Sequence, residues 1–188
     1  MQTHYFDTYP ELTTERLRLR KPRLEDAGPL SRIYGHPETS RYIGFSATEG
    51  IEKTQQKLAR DLETASRGEG FRWLLCERGD DTPIGSAGIF HWSQADRHAE
   101  VGYVLRFDQW GRGVMKEVMP TLLRFGFEEM RLHRIEARVD PRNAASLRVL
   151  TRSGFQREGL LRESLVEGAG FSDSVILSLL EGEWRATG

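Results

Sequence analysis

Val101-Gly-Tyr-Val-Leu105, then Gln109-Trp-Gly-Arg-Gly113, then an apolar seam at Val114, Val118, Leu122 and Phe125, decide the fold of this chain. The first run is short and apolar and reads as a strand; the glycine pair marks a turn. The seam has helical spacing, and Met115, Met119 and Leu123 widen it into a deeply buried face. A strand that hands a glycine-bearing turn to a helix N-terminus is a place to hold an anion. The first helical amides have no internal partner, the helix dipole is positive there, and glycine lets backbone approach a phosphate. Gly111, Arg112, Gly113, Val114 and Met115 can therefore present successive amides to a pyrophosphate, with Arg112 adding charge. Two other phosphate motifs fail on local chemistry. Lys116 stands where a dinucleotide fingerprint wants its third glycine, and the Gly-Lys-Ser/Thr of a P-loop is missing.

Downstream, Ile135-Glu-Ala-Arg-Val139 reads as a strand, and Asp140-Pro-Arg-Asn143 opens a helix over 144–152 that closes at Ser153-Gly-Phe155. Asn143 has two readings. It is a good N-cap, and its amide is also suited to donate to and accept from a ligand amide beside the helix. Ser146, three residues on, can point the same way.

Upstream, Arg16-Leu-Arg-Leu-Arg20 alternates with period two, predicting a half-buried strand with a cationic outer face. Glu25 to Tyr34 reads as a short helix. A second helix begins near Ser46, which with Glu49 matches a capping box, and turns Ile51, Leu58 and Leu62 inward. Phe71–Glu77 and Pro83–Phe90 form a strand pair, and His98–Leu105 continues the sheet. Pro120 removes a backbone donor inside the long helix and should bend it near Lys116. Strands around 156–161 and 174–180 close the chain. The order is a strand, two helices, three strands, a helix, a strand, a helix and two strands, a mixed α/β sheet rather than a strict βα alternation.

At 188 residues the chain fits one domain, and 38% hydrophobic with 29% charged residues reads as soluble and globular. With 27 basic and 28 acidic residues there is no whole-protein field to gather nucleic acid or anionic lipid. No signal peptide and no membrane-length apolar run is visible, so a cytoplasmic location is expected. One cysteine, Cys76, permits no internal disulfide, and the five histidines show no metal-ligand spacing, so no metal is expected.

These motifs together resemble the GNAT superfamily of acyl-CoA-dependent N-acetyltransferases, nearest to the RimJ/RimL branch that acetylates N-termini of ribosomal proteins. Thr14-Glu-Arg-Leu-Arg-Leu-Arg20 with Asp26-Ala27 is similar to that branch's opening. Glu100-Val-Gly-Tyr-Val-Leu105 with Trp110-Gly-Arg-Gly-Val-Met115 resembles its CoA-binding strand and pyrophosphate loop. Asn143-Ala-Ala-Ser146, Leu150 and Gly154-Phe155 resemble its second CoA motif; Asp173 and Leu179-Leu-Glu-Gly-Glu-Trp184 resemble its last strand. Met115 stands where the family loop usually has a small residue, so its side chain must turn into the core.

The resemblance implies a single GNAT domain (1–188, core about 13–184) with a mostly antiparallel sheet. That sheet should splay between the strands near Val104 and Ile135, with helices on both faces. It implies acetyl-CoA as co-substrate, held by Val104, Leu105 and Arg106, by Gly111 to Met115, and by Asn143 and Ser146. The implied reaction is direct transfer to a primary amine, first of all the N-terminal α-amine of a protein. A small amine such as a polyamine, amino sugar or aminoglycoside, or a non-catalytic acyl-CoA-binding role, are the alternatives. A free α-amine, with a pKa near ~8, is easier to deprotonate than lysine near ~10.4. Glu100, on the same strand face as Gly102 and Val104, is the candidate proton acceptor, probed against the plainer reading of a solvated carboxylate; His98 is its substitute. Ser146 is the candidate donor to the leaving thiolate. Cys76 lies mid-strand with no histidine nearby in sequence, an unpromising nucleophile. Trp73, Trp92, Phe45 and Tyr42 line either an acceptor pocket or the core. Three or more acidic side chains in the acceptor cleft would favour the small-amine alternative, and Glu38, Glu49, Glu52 and Asp61 sit in the acceptor-side helices. A monomer and a strand-edge homodimer are both compatible with the sequence.

Overall fold

The computed structural model describes residues 8–43, 50–167 and 170–186. Its strands are β1 (Leu12–Thr13), β2 (Leu17–Arg20), β3 (Phe71–Glu77), β4 (Pro83–Ser93), β5 (His98–Leu105), β6 (Arg134–Val139), β7 (Gln156–Glu167) and β8 (Gly170–Leu180). They make one sheet ordered β1-β2-β3-β4-β5-β6-β8-β7, antiparallel throughout except between β5 and β6. Parallel neighbours need a crossover, and the helix after the glycine turn supplies it. The helices are α1 (Ala27–Tyr34), α2 (Pro37–Ser40), α3 (Gly50–Ser66), α4 (Val114–Arg124), α5 (Ala144–Arg152) and α6 (Glu181–Ala186).

The predicted seam packs as expected. Val114, Met115, Val118, Met119, Leu122, Leu123 and Phe125 are all buried against Phe71, Trp73, Ala87, Ile89 and Val101. On the other face, Leu30, Ile33, Tyr34 and Leu58 of α1 and α3 cover Leu74 and Cys76. Alternation along β3 thus feeds two cores, which is why that strand reads as an unbroken apolar run.

The one parallel contact is short. His98, Ala99 and Glu100 pair with Arg134, Ile135 and Glu136, and there the pairing stops. Beyond it β5 stays on β4 through Val104 and Leu105, while β6 stays on β8 through Val139. The sheet therefore opens between 101–105 and 137–139. The opening lies between the strands that carry Val104 and Ile135, as expected; Ile135 itself is paired, with Ala99, and the gap begins past Glu136.

Other expectations are corrected. Arg20 does not sit on a solvated cationic face. The short 3-10 turn Leu24–Asp26 lies over the end of β2, and the buried Arg20 guanidinium donates to both Asp26 oxygens at 2.6 and 2.9 Å. Arg16 pairs with Glu117 at 2.6 Å and Arg18 with Asp81. Ile51 is 52% exposed, and Thr54 takes the inward position, its hydroxyl donating to the Gly50 carbonyl. Ser46 and Glu49 lie outside the described residues. The last strand does end at Leu180, as expected, and 181–184 turn into α6, whose Trp184 stacks on Phe127 at 5.1 Å. Pro120 stays inside α4 on its exposed face, where water can satisfy the Lys116 carbonyl that the proline leaves without a donor. The helix then widens into a π-turn, with the Met130 amide donating to the Phe125 carbonyl.

Candidate active site

A cavity of about 1480 Å³ occupies the opening in the sheet. Tyr103, Val104 and Leu105 of β5 form one wall, Gly111, Gly113, Val114 and Met115 another, and Asn143 and Ser146 a third. Thr39, Tyr42 and Ile43 close it from the α1–α3 side. The cavity is larger than a compact metabolite needs and suits a long ligand threaded through the sheet.

The turn before α4 is built for its shape. Gly111 and Gly113 take φ of +75° and +77°, the left-handed region that side chains resist. The space around Gly111 is open, so conformation and not crowding selects glycine there. The Trp110 indole donates to the Leu105 carbonyl at 3.1 Å and ties the turn to the end of β5. No side chain caps α4 at Gly113. Val114 and Met115, its first residues, line the cavity, and the Met115 side chain is turned into the core, 4% exposed.

At α5 the opposite holds. Asn143 Oδ1 accepts from the Ser146 amide at 3.0 Å, so the capping role is realised. Its amide hydrogens are the donors it can offer to a ligand. Asp140 positions this turn: its carbonyl accepts from the Asn143 amide, and its carboxylate is held by the Arg142 guanidinium and amide. Those hydrogen bonds hold the Asp140 carboxyl below the usual range.

Tyr103 joins the cavity without having been a candidate from the sequence. The Tyr103 hydroxyl lies 2.8 Å from Ser146 Oγ, joining β5 to α5 across the opening. Period two along Glu100-Val-Gly-Tyr103 puts Tyr103 on the face opposite Glu100, so the signal was present.

The remaining candidates scatter. Glu100 belongs to the last β5–β6 pair, at the root of the opening, but does not line the cavity. Its carboxylate lies 3.3 Å from His91 Nδ1 and 3.5 Å from Arg138 Nε. His98 is engaged with Glu136 at 3.4 Å. The Arg106 and Arg112 side chains do not line the cavity either; Arg106 pairs with Asp108 at 2.6 Å, and Arg112 is exposed. Burial pushes the Cys76 thiol up, and the thiol donates to the Asp81 carbonyl. Trp73 is a core residue with its indole on the Pro10 carbonyl, whereas Tyr42 lines the cavity; Phe45 lies outside the described residues. Of the acidic residues considered for an amine cleft, Glu38 pairs with Arg41, and Asp61 is held by Lys57 and Arg72 at 3.2 Å each. Glu52 is exposed, and Glu49 lies outside the described residues.

Among the described residues no helix is long and apolar enough to cross a membrane, and no cluster of metal-ligating side chains occurs. Residues 16–156 match the acetyltransferase (GNAT) domain family. The chain is 33% identical over 173 residues to the uncharacterized N-acetyltransferase p20 of Bacillus licheniformis, covering 92% of this chain and 97% of that one. It is 27% identical over 181 residues to the [ribosomal protein uS5]-alanine N-acetyltransferase of Escherichia coli, covering 92% of each. The fold superposes on Mycobacterium smegmatis RimJ in complex with CoA-disulfide with a TM-score of 0.77 at 24% identity, over 92% of this chain and 89% of that one. A sheet opened beside a glycine turn, an uncapped helix end and a match over three quarters of its length lead to one conclusion: this chain belongs to the GNAT family of N-acetyltransferases.

Proposed function

We propose that the protein transfers the acetyl group of acetyl-CoA directly to the N-terminal α-amine of a protein. The observation that carries this reading is the course of the cavity, from the opening in the sheet to the uncapped N-terminus of α4. The pyrophosphate sits on the amides of Gly111 to Met115, where the helix dipole is positive, with the exposed Arg112 adding charge at the rim. The pantetheine arm runs along Val104 and Leu105; Arg106 offers it no free backbone group, since its amide donates to the Ile84 carbonyl and its carbonyl accepts from the Gln109 amide. Strand β5 has no β6 partner there, so its edge amides are available to polarise the thioester carbonyl. Asn143 donates from its amide group, and Ser146 donates to the sulfur as it leaves.

The acceptor amine enters from the face that carries Glu100, opposite Tyr103. Glu100 receives the proton that the attacking nitrogen loses, through water. Holding both substrates in one gap supplies much of the acceleration, and an α-amine with pKa near ~8 asks less of the base than a lysine near ~10.4 would. The pairing of Glu38 and Asp61 with cations supports a singly charged α-amine over a polyamine, because neither carboxylate is left to bind an extra ammonium.

The test is release of CoA thiol from acetyl-CoA across an amine panel. Peptides with free Ala, Ser or Thr N-termini should turn over, whereas N-blocked lysine peptides, polyamines and aminoglycosides should not. Turnover confined to small amines would overturn the acceptor assignment. Glu100→Gln should lower kcat by about 100-fold, the scale of a lost general base, with KM for acetyl-CoA little changed.

A further inference from the structure

The contact between Tyr103 and Ser146 joins two elements on either side of the opening, and both residues line the cavity. The Tyr103 oxygen is 2.8 Å from Ser146 Oγ and 3.4 Å from the Ser146 carbonyl. A phenol has one hydrogen, and the shorter contact is the better acceptor site for it. If Ser146 instead donated to Tyr103, the phenol would be left with only the long contact to the carbonyl. If Tyr103 donates, the Ser146 hydrogen is free to point into the cavity. Burial pushes the Tyr103 phenol up to about 12, with Ser146 drawing it down, so the phenol is a donor throughout any assay near neutrality. The cap from Asn143 fixes the Ser146 amide and the backbone that carries the hydroxyl.

We propose that Tyr103 is a positioning residue: it donates to Ser146 Oγ and so directs the Ser146 hydrogen at the CoA sulfur when the thioester bond breaks. This deepens the acetyl-transfer reading and rests on it. In the step concerned, the amine nitrogen bonds the carbonyl carbon, the C–S bond breaks and sulfur keeps the electron pair. The nitrogen's proton goes by water to Glu100 and then to solvent. Ser146 gives the sulfur a hydrogen bond strengthened by the one it receives, and no proton moves along the pair.

The test is a mutant cycle on the full chain with acetyl-CoA and an acceptor that wild type turns over, each variant checked by thermal unfolding. Tyr103→Phe keeps the ring and removes the hydroxyl. It should lower kcat by about tenfold, the scale of one hydrogen bond, and leave KM for acetyl-CoA within about twofold. Ser146→Ala should cost more, and adding Tyr103→Phe to it should cost nothing further. Ser146→Thr keeps the hydroxyl and should restore the dependence on Tyr103. Unchanged kcat in Tyr103→Phe, or effects that multiply in the double variant, would overturn the proposal. A variant whose loss tracks a lowered melting temperature and a raised KM would show a packing role only and overturn it too. Wild type that binds acetyl-CoA but never releases CoA thiol would instead overturn the acetyl-transfer reading itself.

Discussion

Two helix N-termini face the same cavity and are finished in opposite ways. Helix α4 begins at Gly113, in left-handed backbone, and among the described residues no side chain makes a capping hydrogen bond there. Helix α5 begins at Asn143, whose own oxygen closes the Ser146 amide. Both ends carry the same dipole, so the difference lies in what each leaves to a ligand. The open end offers bare amides to a charged group. The closed end offers side-chain donors, the Asn143 amide and the Ser146 hydroxyl, at fixed positions. An uncapped helix end costs stability unless something fills it, and we propose that the cofactor's pyrophosphate does so here.

Closing the open end should have the largest effect. Gly113→Asp supplies a capping oxygen and a negative charge where the pyrophosphate would lie, and Asp tolerates the left-handed region better than most residues. Acetyl-CoA binding by calorimetry should weaken by on the order of 100-fold, while the protein stays folded. Unaltered affinity would show that the open end is not the anion seat.

Opening the closed end should do less. Asn143→Ala removes the cap at a cost of about 1 kcal/mol, lowering Tm by roughly 2–4 °C for a chain of this size. It should also raise KM for acetyl-CoA several-fold. Asn143→Ser keeps a cap, so Tm should recover while the KM defect stays. Recovery of both would reduce Asn143 to a structural cap.

The smallest effect concerns the support beneath that cap. Asp140 is held below the usual carboxylate range by Arg142. Its folded pKa is depressed, so its stabilising contribution is present above the unfolded value near ~3.9 and is lost as pH falls toward the folded one. Thermal unfolding of wild type and Asp140→Asn should therefore differ at pH 7 and converge below about pH 4. A gap that persists in acid would assign the effect to shape and not charge.

Much of this was legible in the sequence because it is local. The α4 seam needs only the helical period, and the Gly111–Gly113 turn only the conformational freedom of glycine. Asn143 as a cap follows from its place before Ala144-Ala-Ser. The misreadings are all matters of partners. Period two placed Arg20 outward, but Asp26 folds over it and the pair is buried. Ile51 has the right spacing on α3, yet it is 52% exposed.

By itself, the sequence determined the elements, the buried face of α4, the anion-ready turn and the kinship of the chain, since each depends on residues close together along it. Tertiary structure alone decided where β5 and β6 part, which charges are neutralised and that Tyr103 meets Ser146. The physical reason is that periodicity assigns a residue to a face, whereas a hydrogen bond between positions 43 apart depends on how two faces pack.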